Sequence, residues 1–212
     1  MTAPRKPRIS SRKQPRQARS TQLVADILQA AVQVLAAEGA ARFTTARVAE
    51  RAGVSVGSIY QYFPNKAAIL FRLQADEWRD TSVMLRTLLE APGQPPIERL
   101  RAAIRAFFRS ECEEAAMRIA LADAAPLYRH APEAHAHRRA GLRTAIAFWR
   151  EALPDATREQ RRRVADIAAI ALGSIGKTIS ERQWPVETID AYADASADMV
   201  AAYIAGLSGA SP

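Results

Sequence analysis

An all-α fold of about nine helices is what this sequence predicts, and three observations carry that reading. Apolar residues make up 49% of 212, enough for a substantial core. They recur at three- and four-residue spacing through Ala/Leu/Arg-rich stretches, and no alternating Val/Ile/Thr run stands out as a strand. Proline and glycine fall mostly between those stretches, as punctuation. The predicted organisation is a three-helix N-terminal head followed by a larger helical remainder.

Residues 1–19 form a basic arm, predicted to be disordered. Arg5, Lys6, Arg8, Arg12, Lys13, Arg16 and Arg19 stand there without an acid, so most of the net charge of +8 sits at one end of the chain. Such a run is either a solvated tail or a phosphate-binding arm, and the motif that follows it in the chain favours the second. Ser20 or Thr21 caps a first long helix, with Leu23, Ile27, Ala30, Ala31, Val34 and Leu35 in one stripe, ending at Gly39.

The stretch from Thr44 to Leu70 has the form of a helix-turn-helix with the next helix attached. Thr44 and Thr45 are candidate N-caps, because their hydroxyls can accept from the free amides of a helix starting near Ala46. Val48, Ala49 and Ala52 give that helix an apolar face. Gly53 ends it, since only glycine enters the left-handed region without a penalty. Val54 fills the corner and Ser55 caps the second short helix, whose Ile59 and Phe63 point inward. Val56, Gly57, Ser58, Tyr60, Gln61 and Tyr62 are then expected to face outward. That surface lacks Lys and Glu yet offers phenols, an amide, a hydroxyl and a bare backbone, which suits a major groove: Gln pairs with adenine and hydroxyls hold phosphates. Pro64 fits the first turn of the next helix, which Asn65 and Lys66 open with a phosphate-attracting N-terminus.

Helix four is predicted from Pro64 to about Glu90, carrying Ile69, Leu70, Leu73, Trp78, Met84, Leu85 and Leu88, and residues 91–96 break it. Helix five follows from Ile97 to about Glu114, with Leu100, Ile104, Phe107 and Phe108 inward. A short helix spans Met117 to Ala125, and His130-Ala131-Pro132 marks a corner. Helix seven runs from Glu133 to Leu153 with Leu142, Ile146, Phe148 and Trp149. Two Ala-rich helices close the chain, about Thr157 to Arg182 and Val186 to Leu207, and residues 208–212 fray. Small residues on this last pair (Ala165, Ala168, Ala169, Ala171, Gly173, Gly176, then Ala191, Ala195, Ala201 and Ala202) allow close packing, either within the chain or with a second copy as a four-helix interface.

Other chemistries find little support. Cys112, the single cysteine, forms no internal disulfide and fits a reducing compartment, and Glu111, Glu113 and Glu114 disfavour a reactive thiolate. His130, His135 and His137 lie near Glu133, but residues two apart on a helix face different sides, so neither metal nor cofactor is expected. No phosphate loop, nucleophile elbow or zinc-protease signature suggests an enzyme. The basic N-terminus leads into a polar stretch instead of an export signal, and Val164 to Gly176 is too short to span a bilayer and contains Asp166; the expectation is a cytoplasmic protein without a membrane segment.

The head, the run TTARVAERAGVSVGSIYQYFPNKAAIL and the larger helical remainder together resemble the TetR family of transcriptional regulators, most strongly over residues 20–72. The resemblance implies a DNA-binding domain at 20–66 and a ligand-sensing and dimerisation domain at 67–207. It implies a homodimeric repressor, joined through the last two helices, that binds a palindromic double-stranded DNA operator and is released by a small molecule. Thr45, Arg47, Ser58, Tyr62 and Lys66 match phosphate-holding positions; Val56, Gly57, Tyr60 and Gln61 match base-facing ones. Ala46 departs from members with a base-reading arginine there. The family pocket would fall among Trp78, Phe107, Phe108, Met117, Leu121, Phe148 and Trp149, a lining that suits an apolar or aromatic effector. The alternative is a regulator of the same build controlled by a protein partner or by no ligand.

Overall fold

The computed structural model describes residues 9–11, 18–128 and 143–208. Most of the basic arm, the His130/Glu133/His135/His137 group, the start of helix seven and residues 209–212 lie outside them. The described elements are α1 (Ala18–Arg42), α2 (Thr45–Ala52), α3 (Val56–Tyr62), α4 (Lys66–Leu89), α5 (Pro96–Glu113), α6 (Ala115–Ala124), a 3-10 turn (Ala125–Leu127), α7 (helical over 143–152), α8 (Arg158–Ser180) and α9 (Val186–Ser208). No strand occurs among the described residues.

Local chemistry sets most boundaries. Gly39 leaves the helical region at φ 72° and ψ 173°, so the regular helix that starts at Ala18 breaks there, as expected, with a kink before the last turn to Arg42. Pro64 lies outside α4: the Asn65 side chain accepts from the Ala68 amide at 3.0 Å, and the helix begins at Lys66. At α8, Thr157 and Gln160 form a reciprocal capping box, the Thr157 hydroxyl accepting from the Gln160 amide and the Gln160 side chain from the Thr157 amide.

Two compact units emerge. The first comprises Met1–Trp78 with Ala116–His137, the second Arg79–Ala115 with Arg138–Pro212. Compactness therefore groups the chain differently from a division at residue 66: the first part of α4 and all but the first residue of α6 pack with the head. In the first unit, Val24, Ile27, Ala31, Val34 and Leu35 of α1 meet Phe43, Val48, Ile59, Phe63, Ile69 and Leu70, joined by Leu121 and Tyr128. Val24 takes the buried place expected for Leu23, which is only partly buried. By length and composition α1 is apolar enough to cross a membrane, a property expected to be absent from the chain, but these side chains are its core-facing stripe. Buried Glu77 pairs with partly buried Arg118 in the same unit at 2.8 Å, and Gln74 donates to the other Glu77 oxygen. The Tyr128 hydroxyl donates to the Leu121 carbonyl, while burial, with Glu77 nearby, holds the phenol protonated well above its usual range.

In the second unit, α5 packs on α8 and α9 through Leu100, Ile104 and Phe108 against Val164, Ala168, Ile179, Ala193 and Ala197. Gly176 belongs to this packing: a Cβ there would lie 3.1 Å from a Phe107 ring atom and 3.3 Å from one of Phe108. Outside the apolar contact runs an ionic ladder. Arg105 holds Asp194 bidentately at 2.6 and 2.8 Å, Arg109 holds Asp190, and Arg101 reaches Asp198 and Asp194. Both series advance four residues at a time, so each presents one helix face. Hydrogen bonds from Arg109 to Asp190 and from Arg105 to Asp194 hold those carboxyls below their ordinary value.

A carboxyl depressed in the folded state contributes stability above its unfolded value, about 3.9, and loses it as pH falls through the folded one. Joint replacement Asp190→Asn and Asp194→Asn is expected to lower the thermal midpoint at pH 7 and to flatten its decline from pH 4 to pH 2. Thermal unfolding followed by circular dichroism across that range checks this. The wild-type midpoint should also fall with added salt, because the pairs are exposed.

Candidate nucleic-acid interface and apolar cavity

The head presents α3 through caps and a buried seat. Thr44, in extended conformation, accepts from the Arg47 amide at 3.3 Å and starts α2. Gly53, at φ 66° and ψ 30°, closes α2 in the left-handed region, and its N–H bonds back to the helix. Ser55 then accepts from the Ser58 amide at 3.0 Å, and its hydroxyl meets that of Ser58 at 2.9 Å. Ile59, Tyr62 and Phe63 anchor the inward side.

Outward, α3 exposes Val56, Gly57, Tyr60 and Gln61, with Ser58 partly covered. The Tyr60 hydroxyl lies 3.3 Å from that of Thr45, so two polar groups from consecutive helices share one surface. Lys66 is exposed at the start of α4, its ammonium 3.5 Å from the Phe43 carbonyl. Arg47 is exposed and ion-paired with Glu38. Tyr62 corrects an expectation: it is 5% exposed, packed in the head core instead of facing outward. The reason is helical spacing: Tyr62 follows Ile59 by three residues and so falls on the same inward face, beside Phe63.

The second unit contains an apolar cavity of about 280 Å³. Leu85 and Leu89 of α4, Leu100, Ala103, Ile104 and Phe107 of α5, Phe148 and Trp149 of α7, and Ala165, Ala168, Ala169, Leu172 and Gly173 of α8 line it. Phe148 and Trp149 meet edge to face at 5.0 Å. Phe108, expected in the pocket, is fully buried in the adjoining core. Trp78, Met117 and Leu121 pack in the first unit instead, because α6 turns its apolar side toward α4 and the head. Cys112 is partly buried, and burial with Glu111 and Glu113 pushes its thiol up, away from the reactive thiolate. Among the described residues no group of three or more His, Cys, Asp or Glu could hold a metal.

Residues 27–73 match the model of bacterial regulatory proteins of the tetR family, and residues 95–207, more than half of the chain, match the tetracyclin repressor-like C-terminal domain. The chain belongs to the TetR family. The nucleoid occlusion factor SlmA of Vibrio vulnificus is 33% identical over 106 residues, covering 41% of this chain and 54% of that protein. The chain thus spans about half the length of the curated relatives it matches. A solved structure from Mesorhizobium loti, assigned to the TetR-family transcriptional regulators, superposes with a TM-score of 0.69 at 15% identity over 88% of this chain and 98% of that one. SmeT in complex with triclosan gives a TM-score of 0.60 at 20% identity over 86% and 91%. At these identities the structural likenesses establish the TetR fold alone.

Within this TetR-family chain, sequence reasoning missed the small residues of α8 as cavity lining. Ala165, Ala168, Ala169 and Gly173 recur at helical spacing, a visible signal that also fits close helix packing. It also missed Arg99, which is 4% exposed although it reads as an ordinary surface charge.

Removing its caps tests how α2, on which α3 packs, is held. Thr44→Ala is expected to cost about 1 kcal/mol, and Gly53→Ala, which places a side chain at positive φ, about 1–2 kcal/mol. Urea denaturation reads both. Equal stability of either variant and the wild type would contradict this view of α2.

Proposed function

We propose that this TetR-family regulator acts as a homodimeric repressor, with α3 of each copy reading one half of a palindromic operator and a small molecule in the second-unit cavity releasing it. The observation that carries the DNA reading is the exposed set Val56, Gly57, Tyr60 and Gln61, bordered by Thr45, Arg47, Ser58 and Lys66. Gln61 and Tyr60 face bases, while Lys66 and Arg47 hold phosphates, Arg47 exchanging Glu38 for the backbone. Tyr62 supports the helix from inside, with its phosphate role limited to whatever its hydroxyl reaches.

The dimer reading rests on α8 and α9. Ile167, Ile170, Tyr192, Met199 and Tyr203 are exposed there, Ile170 by 70%, and a solitary chain gains nothing from such a row of large apolar groups. Two-fold pairing spaces two recognition helices about 34 Å apart, or a multiple of that. A cavity lined almost wholly by carbon favours a small apolar or aromatic effector over control by a protein partner, which would leave a filled core. SmeT, solved as a complex with triclosan, is a precedent in the same fold. The effector acts through α4, which starts at Lys66 and lines the cavity with Leu85 and Leu89.

Selection from random duplex DNA, followed by binding titrations, tests this reading. Gln61→Ala and Tyr60→Phe should change sequence preference by about 1–3 kcal/mol per lost base contact, while Lys66→Ala should weaken all sequences and reduce the salt slope by about one. Deleting residues 1–19 should flatten the slope further. Ile170→Glu should yield a monomer by sedimentation that no longer selects a palindrome. A monomeric wild type, or one that selects no sequence, would overturn the proposal.

A further inference from the structure

The cavity wall is carbon, and a buried cation that does not itself line it, Arg99, touches two residues that do. Arg99 donates through Nη1 to the Leu89 carbonyl at 2.6 Å, pairs through Nη2 with Glu151, and holds its guanidinium 5.9 Å from the centre of the Phe148 ring. Leu89 and Phe148 both line the cavity. The Nε of Arg99 is buried and has no hydrogen-bond partner.

The charges are unevenly placed. Arg99 is 4% exposed, whereas the side chain of Glu151 is 57% exposed. A carboxylate in water gains little from an ion pair, because the solvent already satisfies it. A buried guanidinium, in contrast, carries a desolvation cost that a well-placed anion offsets. Capping the α4 carbonyl at Leu89 uses one N–H; it leaves the orphaned Nε unexplained. A planar carboxylate is the group whose geometry matches the fork of a guanidinium.

We infer that the cavity binds a small carboxylic acid as its anion, with the apolar body against Phe107, Phe148 and Leu172 and the carboxylate on Arg99 in place of Glu151. This assignment rests on reading the cavity as the effector site, and it names the class of effector. A neutral apolar ligand leaves Nε orphaned, and an amine meets a like charge. Size sets a second limit: 280 Å³ is nearly twice an engineered cavity of about 150 Å³ that holds benzene, so an acid of roughly ten heavy atoms fits.

Calorimetric titration of the full-length protein with octanoate, 1-octanol and octylammonium tests it. Octanoate should bind at least tenfold tighter than octanol, and octylammonium weakest. Arg99→Gln should abolish the advantage of octanoate and leave octanol unchanged. Should that variant misfold, Glu151→Gln carries the same test from an exposed position: removing the competing carboxylate should tighten octanoate several-fold without moving octanol. Gly173→Phe, where an added Cβ meets no atom within 4 Å, should block both ligands and so locate them in the cavity. Equal binding of octanol and octanoate, or an equal response of both to Glu151→Gln, would overturn the anionic subsite while leaving the cavity as an apolar site. Failure of all three probes to bind would overturn the cavity reading itself.

Discussion

Everything the head can do depends on the burial of Ile59, Tyr62 and Phe63 beneath α3. A helix of seven residues does not persist alone in water, since nucleation costs more than so few hydrogen bonds return. Its existence and its direction are therefore set by the core of α1, α2 and the first part of α4. Once those three side chains are committed inward, Val56, Gly57, Tyr60 and Gln61 have only the outer side left to them. The caps at Thr44, Gly53, Ser55 and Asn65 work with the seat, because each ends or begins a helix where the next must change direction. Packing decides which residues a partner meets, and chemistry decides what they read.

Charge serves different ends in the two units. On the outside of the second unit, the arginines of α5 and the aspartates of α9 form an exposed ladder that fixes register more than it adds stability, since each pair is screened by water and salt. In the first unit, Glu77 and Arg118 are largely withdrawn from water and tie α6 to α4, each offsetting part of the other's desolvation. Arg99 is intermediate: its own charge is buried and its counter-charge is not. That asymmetry sets it apart from ordinary structural arginines and, in the proposed mechanism, makes it the polar end of an otherwise apolar site.

Local features were the legible part of this sequence. The caps at Thr44 and Ser55, the left-handed Gly53, the breaks near residues 91–96 and the fold class follow from short-range chemistry, which a sequence displays directly. Long-range partnership was not legible. The four-residue spacing of Arg101, Arg105 and Arg109 is plain, as is that of Asp190, Asp194 and Asp198, yet nothing local says that these faces meet. Met117 and Leu121 have the periodicity of any core helix, and only the fold assigns them to the head. Small residues on α8 fit a dimer seam, a close intrachain crossing or a cavity wall equally well; Gly176 proves to serve the second and Gly173 the third. Tyr62 shares the face of Ile59 by its three-residue spacing, but its hydroxyl suits an outward position as well, and only the packing decides between the two.

In the mechanism we propose, one helix, α4, runs from the surface assigned to DNA to the apolar cavity, and the two sites are thermodynamically coupled through it. Its first residue, Lys66, is assigned to phosphate, and Leu85 and Leu89 near its end line the cavity. Coupling of this kind is reciprocal: whatever factor the ligand takes from operator affinity, the operator takes from ligand affinity. The most direct measurement is a pair of titrations on the full-length protein, operator binding with and without saturating octanoate and octanoate binding with and without operator. The account predicts a weakening of the same factor in both. Unchanged affinities in the presence of the other partner would contradict it.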